Sequence, residues 1–586
     1  MGDTGPMFES WMPPQIPQVF PPGKGNIYPF GEPHASYPIV CLDKADTNTN
    51  QAVSVSLPTG DSVIGLSRKE KWLLDQLEWS YPRIKILSNK SIGGLSDAVL
   101  RRLQINDTTV SCMVFSSGAA GHQCATVLKT LPSENPFTIK VVRFVMPLES
   151  NLGDTSSHWA NFTAVLYPSD LLKAAMAFWR DTGSGLSTRH AEFCLEEFDY
   201  LDSDSSTPAY RTPASRKRCR GKTPESLIWM RAAARDSHEV KSFLADLATS
   251  EQPGQPTVNP DEVFLYPTGM NAIYTLSQAL VSPEYKVAMY GWLYPETVDV
   301  VRRDTWAECL SYKYGTEEEL DRLEALLQSG QQIRALFCEL PSNITLASPN
   351  LCRIRALADI YGFVVACDDT VAGYVNIDAL PYVDVMMSSL TKTFSGASNV
   401  TGGCLVINPN SRHHDQIHTT LSKNQDTYFP LDVNTLRQNS KDIVWRVKQC
   451  NPNTLPLIEL FQAHPAIAAV NDPSIAPTSA LYKSVMRKDG GYGNVLSIVF
   501  HDPRTAEHCY NVFNVCKGSS FGANFTLAIP YVRLANYWNQ DKVAKHGVPR
   551  HIIRISVGLE DTRQIVETAK RALKSVDEFE MKKDLN

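Results

Sequence analysis

The sequence predicts an α/β protein built on a mostly parallel β-sheet with helices on its faces. Between residues 263 and 407, short apolar runs typical of buried strands alternate with amphipathic segments typical of helices. That alternation favours a sheet in which successive strands are joined by helical crossovers. The predicted strands are Val263–Tyr266, Lys286–Tyr290, Ile333–Glu339, Phe363–Cys367, Val383–Met387 and Cys404–Ile407, and the predicted helices between them include Ala272–Leu280, Glu317–Leu327 and Leu351–Tyr361.

The chain is too long for one hydrophobic core, since it has 586 residues. We expect a poorly ordered lead-in over residues 1–50, an N-terminal region over 51–250, a large domain over 251–430 and a smaller α+β domain over 431–586. The N-terminal region is predicted to hold an edge strand at Gln51–Pro58, helices at Trp72–Trp79, Ser96–Leu103 and Leu227–Leu247, a strand at Phe137–Val145 and a flexible polar loop at Asp202–Ser226. The C-terminal domain is predicted to hold a helical segment at Val433–Phe461, strands at Gly493–Phe500, Phe525–Ile529 and Ile552–Val557, and a terminal helix.

The composition limits the classes of protein to which the chain can belong. The chain has 43% hydrophobic and 20% charged residues, which is ordinary for a globular protein. No apolar run is long enough to cross a membrane, and the N-terminus lacks a basic and apolar leader. The 13 cysteines lack paired spacing and the net charge is −6. We therefore expect a cytoplasmic protein with reduced thiols and without membrane or nucleic-acid partners.

A lysine between two buried strands is the first sign of chemistry. Lys392 follows the run Val383–Met387 and is surrounded by hydroxyl residues and a glycine pair, Gly402 and Gly403. Lysine is rarely buried without a partner, and a desolvated amine titrates low enough to act as a nucleophile. The stretch is compatible with a Schiff-base lysine, and equally with an exposed lysine on a loop.

Other polar residues stand where predicted strands end, which is the edge where open α/β sheets bind ligands. Asp368 follows a buried run and is suited to pair with a protonated ring nitrogen. Gly269 and Met270 open a helix, whose N-terminus suits a phosphate group. Tyr290 is placed to stack on a ring, and Asn343 to donate a hydrogen bond to a ring oxygen. Each residue also has an ordinary structural explanation, but the set in this order indicates a site for a ring-shaped, phosphate-bearing cofactor.

The residues that carry this set resemble a known family. The motifs VFLYPTGMNAI, CELPSN, SSLTKTFSG, GYGNVLSIVF, GANFTLAIPY and RISVGLED are similar to those of the Cys/Met-metabolism enzymes, which depend on pyridoxal 5′-phosphate (PLP). The resemblance runs from about Ala52 to the C-terminus and is strongest to the fungal cystathionine γ-synthase branch. It implies the PLP-dependent transferase fold of type I, with a sheet of the seven-stranded type, and a homotetramer made of two dimers.

The resemblance also implies roles for individual residues. Lys392 is the catalytic lysine that binds the cofactor aldehyde, and Asp368 pairs with the pyridine nitrogen. Tyr290, the second catalytic candidate, stacks on the ring, and Asn343 contacts the ring hydroxyl. The substrate α-carboxylate is held by Arg554, with Ser520 beside it. The residues implied to hold the phosphate are Gly269, Met270, Ser389 and Thr391.

The family supplies a Tyr-x-Arg pair from a neighbouring subunit to the phosphate, and two segments are candidates here. Tyr81 and Arg83 preserve the residue pattern. Arg189 lies nearer the predicted cofactor domain, but its segment lacks the tyrosine. Residue type favours Arg83, and the choice between the two stays open.

The implied reaction is γ-substitution on an O-acylhomoserine, with cysteine as the nucleophile in cystathionine γ-synthase and transsulfuration as the pathway of methionine metabolism. The chain departs from the branch pattern at several loop positions. We therefore keep a second hypothesis, a paralogue in a fungal biosynthetic pathway that forms a C–C or C–N bond at Cγ. The departures are Ile344 in place of proline, Ala397 in place of an acidic residue, Thr401 in place of methionine and Asn536 in place of histidine.

Rival interpretations rest on weaker signals. The basic run Arg216–Lys222 lacks interleaved aromatics, so a solvated charge run is favoured over a nucleic-acid patch. His414 and His418 have the spacing of zinc ligands, but no third ligand accompanies them, so we predict no metal site. A non-catalytic regulatory protein that retains the enzyme fold is the third hypothesis.

Overall fold

The computed structural model describes residues 39–40, 54–55, 57, 59–70, 90–147, 155–216, 232–424 and 428–584. It contains sheets of seven, five and four strands and a two-stranded pair at Ile39–Val40 and Ser54–Val55, here β1 and β2. Among the helices of the described ranges, none combines the length and the apolar character that a membrane span requires.

The seven-stranded sheet confirms the predicted α/β class. Its spatial order is β7-β13-β12-β11-β10-β8-β9, and only β13 runs antiparallel to its neighbours. All six predicted strands are present with small shifts at their ends. The seventh, the edge strand Glu308–Tyr312, was missed because its residues are mostly exposed or half-buried and show no apolar run. The strands are β7 Val263–Tyr266, β8 Lys286–Tyr290, β9 Glu308–Tyr312, β10 Ile333–Glu339, β11 Val364–Asp368, β12 Val385–Ser388 and β13 Gly403–Ile407.

Helices cover both faces of this sheet, so its central strands are buried on both sides. Ala335 and Phe337 face one hydrophobic cluster, whereas Leu336 and Cys338 on the same strand face another. The helices of this region are Ala233–Ala248, Gly269–Leu280, Pro295–Arg303, Glu317–Gln328, Leu351–Tyr361, His414–Asn424 and Pro430–Ser440.

A five-stranded sheet lies in the C-terminal part; it contains the three strands predicted there and two, β14 and β16, that were not predicted. Its order is β14-β15-β18-β17-β16. The strands are β14 Ile467–Asn471, β15 Val495–Phe500, β16 Cys516–Lys517, β17 Leu527–Pro530 and β18 Ile553–Ser556, and the helices are Ile443–Gln462, Ser479–Ser484, Pro503–Val512, Tyr531–Ala535, Gln540–Ala544 and Thr562–Asp584.

The N-terminal region has its own antiparallel sheet, in the order β3-β5-β4-β6. The prediction of a flexible loop at Asp202–Ser226 is wrong for its first part, because Asp202–Ser205 pairs with β4 as an edge strand. The buried Ser203 and Ser205 donate side-chain hydrogen bonds to the carbonyls of Tyr210 and Val141, so polar residues satisfy this strand without an apolar pattern. Residues 217–226, like the predicted helix Trp72–Trp79, lie outside the described residues. The strands are β3 Val110–Phe115, β4 Lys140–Val145, β5 Phe162–Pro168 and β6 Asp202–Ser205, and the helices are Gly60–Arg68, Lys90–Arg102, Gly118–Lys129, Leu172–Thr182 and Thr188–Glu197.

Candidate active site

A cavity of about 400 Å³ lies where β10, β11 and β12 end. Three parts of the chain line it: loops after the strands of the large sheet, the segment 183–189 of the N-terminal region, and residues of the C-terminal domain. The predicted residues that line it are Lys392, Asp368, Gly269, Met270, Asn343, Ser389, Thr391, Arg189 and Arg554.

Lys392 lies in a tight turn just after β12. Its Nζ donates a hydrogen bond to Ser520 Oγ at 2.9 Å and lies 5.0 Å from the centre of the Phe521 ring. The turn is held from behind, because the buried Arg446 donates to the carbonyls of Thr393 and Phe394 at 2.8 and 2.9 Å. The amine therefore projects into the cavity from a fixed backbone.

Asp368 ends β11, directly beside the strand that leads to Lys392. Its residue partners across the sheet are Glu339 on β10 and Met387 on β12. Burial raises the pKa of the Asp368 carboxyl, while hydrogen bonds from Thr370 act in the opposite direction. A partly desolvated carboxylate of this kind is stabilised by a cation placed against it, such as a protonated ring nitrogen.

A phosphate-sized cradle lies at the start of the helix Gly269–Leu280. Thr268 caps this helix by accepting the amide N–H of Asn271 at 3.0 Å. A Cβ on Gly269 would lie 2.8 Å from the Cβ of Ser389, so only glycine lets the two loops approach. On the other side, Thr391 Oγ1 accepts the amide of Gly402 at 3.0 Å. A helix N-terminus edged by hydroxyls suits a dianionic phosphate.

The predicted carboxylate site is preorganised. Arg554 is 3% exposed, and its Nη1 donates to Asn343 Oδ1 at 3.0 Å. Its Nη2 donates to the carbonyls of Ser519 and Ser520 at 2.7 and 3.1 Å. The guanidinium, on β18, is thus tied to the large sheet through Asn343, and its planar fork is suited to a carboxylate.

Tyr290, predicted to stack on the ring, does not line the cavity. Its ring is buried in the hydrophobic cluster on the opposite face of the sheet, and its hydroxyl donates to the carbonyl of Thr316 at 3.1 Å. Tyr294, four residues later, lines the cavity instead. The sequence places a tyrosine at each end of the turn after β8; the pleat of β8 turns Tyr290 away from the site, whereas Tyr294 lies beyond the strand, at the start of the helix Pro295–Arg303.

The two candidate phosphate arginines differ in what the structure describes. Tyr81 and Arg83 lie outside the described residues. Arg189 lines the cavity of its own chain, where its Nη1 pairs with Asp432 at 2.9 Å and its Nη2 donates to the carbonyl of Asn399 at 2.9 Å.

Sequence analysis missed several residues that line the cavity. Glu339 accepts hydrogen bonds from the backbone amides of Tyr294 and Asn343. Phe521 lies against both Lys392 and Arg554. The buried Asp432 pairs with Arg189. Glu339 carried a signal that was available, since it ends a predicted strand and belongs to the CELPSN motif.

The four departures from the branch pattern lie at different places relative to the cavity. Thr401 lines the cavity, and its carbonyl accepts the hydroxyl proton of Tyr428. Ile344 is buried beneath the loop with a φ of 89°, a conformation that is strained for a β-branched residue. Asn536 follows the cavity-lining residues Leu534 and Ala535. Nothing in the structure explains Ala397.

Comparison with known proteins identifies the family. Residues 227–574 match the model described as "Cys/Met metabolism PLP-dependent enzyme", and residues 91–187 match "Fungal trans-sulfuration enzyme, N-terminal domain". The chain is 41% identical to "Cystathionine gamma-synthase-like protein ankD" of Aspergillus thermomutatus, covering 90% of this chain and 93% of that protein. It is 30% identical to "Cystathionine gamma-synthase" of Neurospora crassa, covering 92% and 98%.

A solved structure agrees on the fold. Cystathionine gamma synthase from Xanthomonas oryzae pv. oryzae, in complex with cystathionine, aligns with a TM-score of 0.52 at 18% identity over 64% of this chain and 95% of that one.

The residues of the cavity fit PLP. A half-buried acid lines the cavity without a cationic partner among its described contacts, an amine lines the same cavity, and a glycine-edged cradle stands at a helix N-terminus. The acid is suited to pair with a protonated pyridine nitrogen, the amine to react with an aldehyde, and the cradle to bind a phosphate. With the family match covering more than half of the chain, the protein belongs to the Cys/Met-metabolism family of PLP-dependent enzymes.

Proposed function

We propose that this enzyme catalyses γ-substitution on an O-acylhomoserine, with cysteine as the nucleophile and cystathionine as the product. The observation that carries the proposal is the meeting of Lys392, Asp368 and Arg554 in one cavity. The relatives named cystathionine γ-synthase, from Neurospora crassa and from Saccharomyces cerevisiae, cover 92% and 90% of the chain and support the assignment.

Each of these residues has a separate task. Arg554 binds the α-carboxylate of the amino acid and fixes the direction of its side chain. Bound PLP supplies an electron sink that makes the protons next to the reacting carbon acidic. Asp368 pairs with the ring nitrogen, and we propose that Tyr294, rather than Tyr290, stacks on the ring. For the phosphate we propose Gly269, Met270, Ser389, Thr391 and Arg189.

Lys392 is the general base. Its Nζ takes the proton from Cα; once that proton has left Nζ, the free amine can take a proton from Cβ, and the electron pair left behind would expel the acyl group from Cγ as a carboxylate. Ser520, at 2.9 Å, keeps the free amine over the cavity. Phe521 and the neighbouring apolar lining keep water from competing with the incoming nucleophile.

A paralogue that joins a carbon or nitrogen nucleophile to the same four-carbon unit is the second candidate function. Thr401 lines the cavity at a position where the branch pattern has methionine. This difference alters the wall of the cavity, while the residues proposed for the cofactor are unchanged. The 41% identical relative is named "cystathionine gamma-synthase-like", and a 33% identical relative covering 72% of this chain is named "Alanine racemase ungC".

Product identification tests the proposal. Purified enzyme is incubated with O-acetylhomoserine and O-succinylhomoserine, each paired with cysteine, a β-keto acid or an amine, and the products are weighed by mass spectrometry. Cystathionine as the main product supports the first candidate, whereas a carbon- or nitrogen-linked product supports the second. Absence of the yellow colour near ~420 nm that is typical of such a lysine–PLP linkage would favour the non-catalytic alternative.

Lys392→Ala tests the proposed catalytic lysine, and Lys488→Ala is its control. We expect Lys392→Ala to abolish both the visible band and the turnover, because Lys69, the other lysine of the described cavity lining, comes from the end of the helix Gly60–Arg68 and not from the turn after β12. Lys488→Ala, outside the cavity lining, should change neither.

We also propose that the protein is cytoplasmic and forms a homo-oligomer of two dimers. Light scattering coupled to size-exclusion chromatography tests the number of subunits.

A further inference from the structure

Glu339 lies in the wall of the cavity and has no role in the reaction as described so far. It is the last residue of β10, is 6% exposed, and is paired across the sheet with Asp368. Both carboxyls therefore lie at the same edge of the sheet, on adjacent parallel strands.

The two oxygens of Glu339 serve two different loops. Oε1 accepts the amide N–H of Tyr294, in the turn after β8, and Oε2 accepts the amide N–H of Asn343 at 3.0 Å, in the turn after β10. One carboxylate thus joins the loop that carries the cavity-lining aromatic ring to the loop that carries the cavity-lining amide.

The connection continues to the C-terminal domain. Asn343 Oδ1 accepts from Arg554 Nη1 at 3.0 Å, so Asn343 orients one side of that guanidinium, while the carbonyls of Ser519 and Ser520 hold the other. A path of hydrogen bonds runs from Tyr294 through Glu339 and Asn343 to Arg554.

A buried carboxylate is energetically unfavourable as the link between two loops. Burial and then the neighbouring Asp368 raise the pKa of Glu339 well above its ordinary value, while the Asn343 amide acts in the opposite direction. Burying an acid beside another acid is unfavourable unless both oxygens are used. Among neutral side chains, an amide offers only one acceptor oxygen, whereas the site needs two acceptors for two N–H groups.

We propose that Glu339 is a positioning residue that holds Tyr294 and, through Asn343, Arg554 in the arrangement that binds the amino-acid substrate. The inference rests on the proposed function only in that Arg554 takes the substrate α-carboxylate.

Glu339→Gln tests the first step. The new amide keeps one acceptor and turns its NH2 group toward one of the two backbone N–H groups. We expect the KM for the amino-acid substrate, and its Kd from the spectral change on binding, to rise about 10-fold or more. The turnover number should fall less than KM rises. The visible circular dichroism of bound PLP should also change, since the ring loses a fixed neighbour.

A double-mutant cycle separates positioning from general stability. If Glu339 acts on Arg554 through Asn343, then Glu339→Gln in an Asn343→Ala background should raise the substrate Kd by less than about 3-fold. Full multiplication of the two single effects, or an unchanged Kd in Glu339→Gln with only a lower melting temperature, overturns the proposal.

Two further variants keep the test decisive. Glu339→Asp retains the charge but is one methylene shorter, so it cannot reach both amides; it carries the same cycle if Glu339→Gln does not fold. Asp472→Asn alters another buried acid, which accepts the Ser474 amide at 2.8 Å away from the cavity, and should lower stability without changing the substrate Kd. Amino-acid binding remains measurable whichever nucleophile the enzyme uses, so failure of this inference and failure of the proposed reaction are distinguishable.

Discussion

Single residues decide the chemistry at the end of β11 and just after β12. Asp368 is half-buried with a raised pKa, and it lies beside the strand that leads to Lys392. A partly desolvated acid of this kind has two ways to lower its free energy: it takes up a proton, or it faces a cation. The second option is the one that makes a bound pyridine ring an effective electron sink.

We expect Asp368→Asn to lower the turnover number by about 100-fold or more, because the amide keeps the shape but cannot hold a proton on the ring nitrogen. The visible band of bound PLP should persist, since Lys392 is intact. Steady-state kinetics and absorbance spectra measure the two effects. Asp378→Asn removes another buried carboxyl, which accepts the Ser250 hydroxyl at 2.8 Å, and should leave turnover near wild type. A turnover number within about 3-fold of wild type in Asp368→Asn would contradict the assignment.

The choice between the two phosphate arginines is also made at this scale. Arg189 lines the cavity, and its guanidinium forms an ion pair with the buried Asp432. We expect Arg189→Ala to raise the Kd for PLP about 10- to 100-fold, from the loss of a charge-assisted hydrogen bond. Fluorescence titration of cofactor-free protein gives the Kd. Arg83→Ala is the comparison, and an equal or larger loss there would refute Arg189.

Sequence alone placed most of these residues but could not resolve a side chain's direction. Lys392, Asp368, Asn343 and Arg554 were found because each stands beside a strand end or in a specific motif. Tyr290 and Tyr294 flank the same turn, and only the pleat of β8 shows that the first faces the opposite core. Glu339 also stands at a strand end, but the sequence could not show its contacts, because its two partners are backbone amides and these have no residue type to recognise.

At the scale of elements, the helix Gly269–Leu280 is braced by a turn from the N-terminal region. Gly183 has a φ of 63°, and its carbonyl accepts from Thr268 Oγ1 at 3.3 Å. The neighbouring carbonyl of Thr182 accepts from Asn271 Nδ2 at 3.2 Å. The turn therefore lies directly on the helix end that forms the phosphate cradle.

Gly183→Ala should disturb that helix end. The new Cβ would lie 2.2 Å from Thr268 Oγ1 and 2.7 Å from the Asn271 amide nitrogen, in addition to the backbone strain at positive φ. We expect about a 10-fold weaker affinity for PLP and a destabilisation of more than about 1 kcal/mol. Gly254→Ala has a φ of 82° but meets nothing within 4 Å, so it shows the strain alone. Equal PLP affinities in the two variants would mean that the turn does not brace the cradle.

Element boundaries were predicted best where apolar runs are strong. The helix at Leu351–Tyr361 and the strand at Ile333–Glu339 match the structure to the residue. Edge strands were missed because only half-buried or polar residues form them: Glu308–Tyr312 is mostly accessible, and Asp202–Ser205 is stabilised by serine hydroxyls.

For the whole molecule, the N-terminal region joins the rest of the chain through an aromatic contact with a titratable group. His190 is 3% exposed, stacks on Phe429 at 4.5 Å between ring centres, and hydrogen-bonds the carbonyl of Trp159 through Nε2 at 2.8 Å. Burial lowers the pKa of His190 to about 4. Folding therefore favours the neutral ring.

This pKa predicts a pH-dependent stability. Because the folded pKa is below the unfolded value of about 6.5, the unfolded chain binds more protons between about pH 4 and 6.5. The contribution of His190 to stability is thus complete above that window and is lost as the pH falls through it. We expect the melting temperature of His190→Gln to depend less steeply on pH in this window than that of wild type. His122→Gln, at an exposed position, is the control, and parallel curves for wild type and His190→Gln would disprove the link.

The turn that carries Gly183 has a practical consequence for anyone seeking a minimal catalytic unit. Trimming the chain to residues 227–574, the span of the main family match, would retain the lysine, the acid and the carboxylate fork. It would also discard Arg189 and the backbone carbonyls that seat the cradle. The shortened enzyme would hold every reactive group and still lose its grip on the vitamin, so we expect residues 182–189 to be needed for cofactor binding.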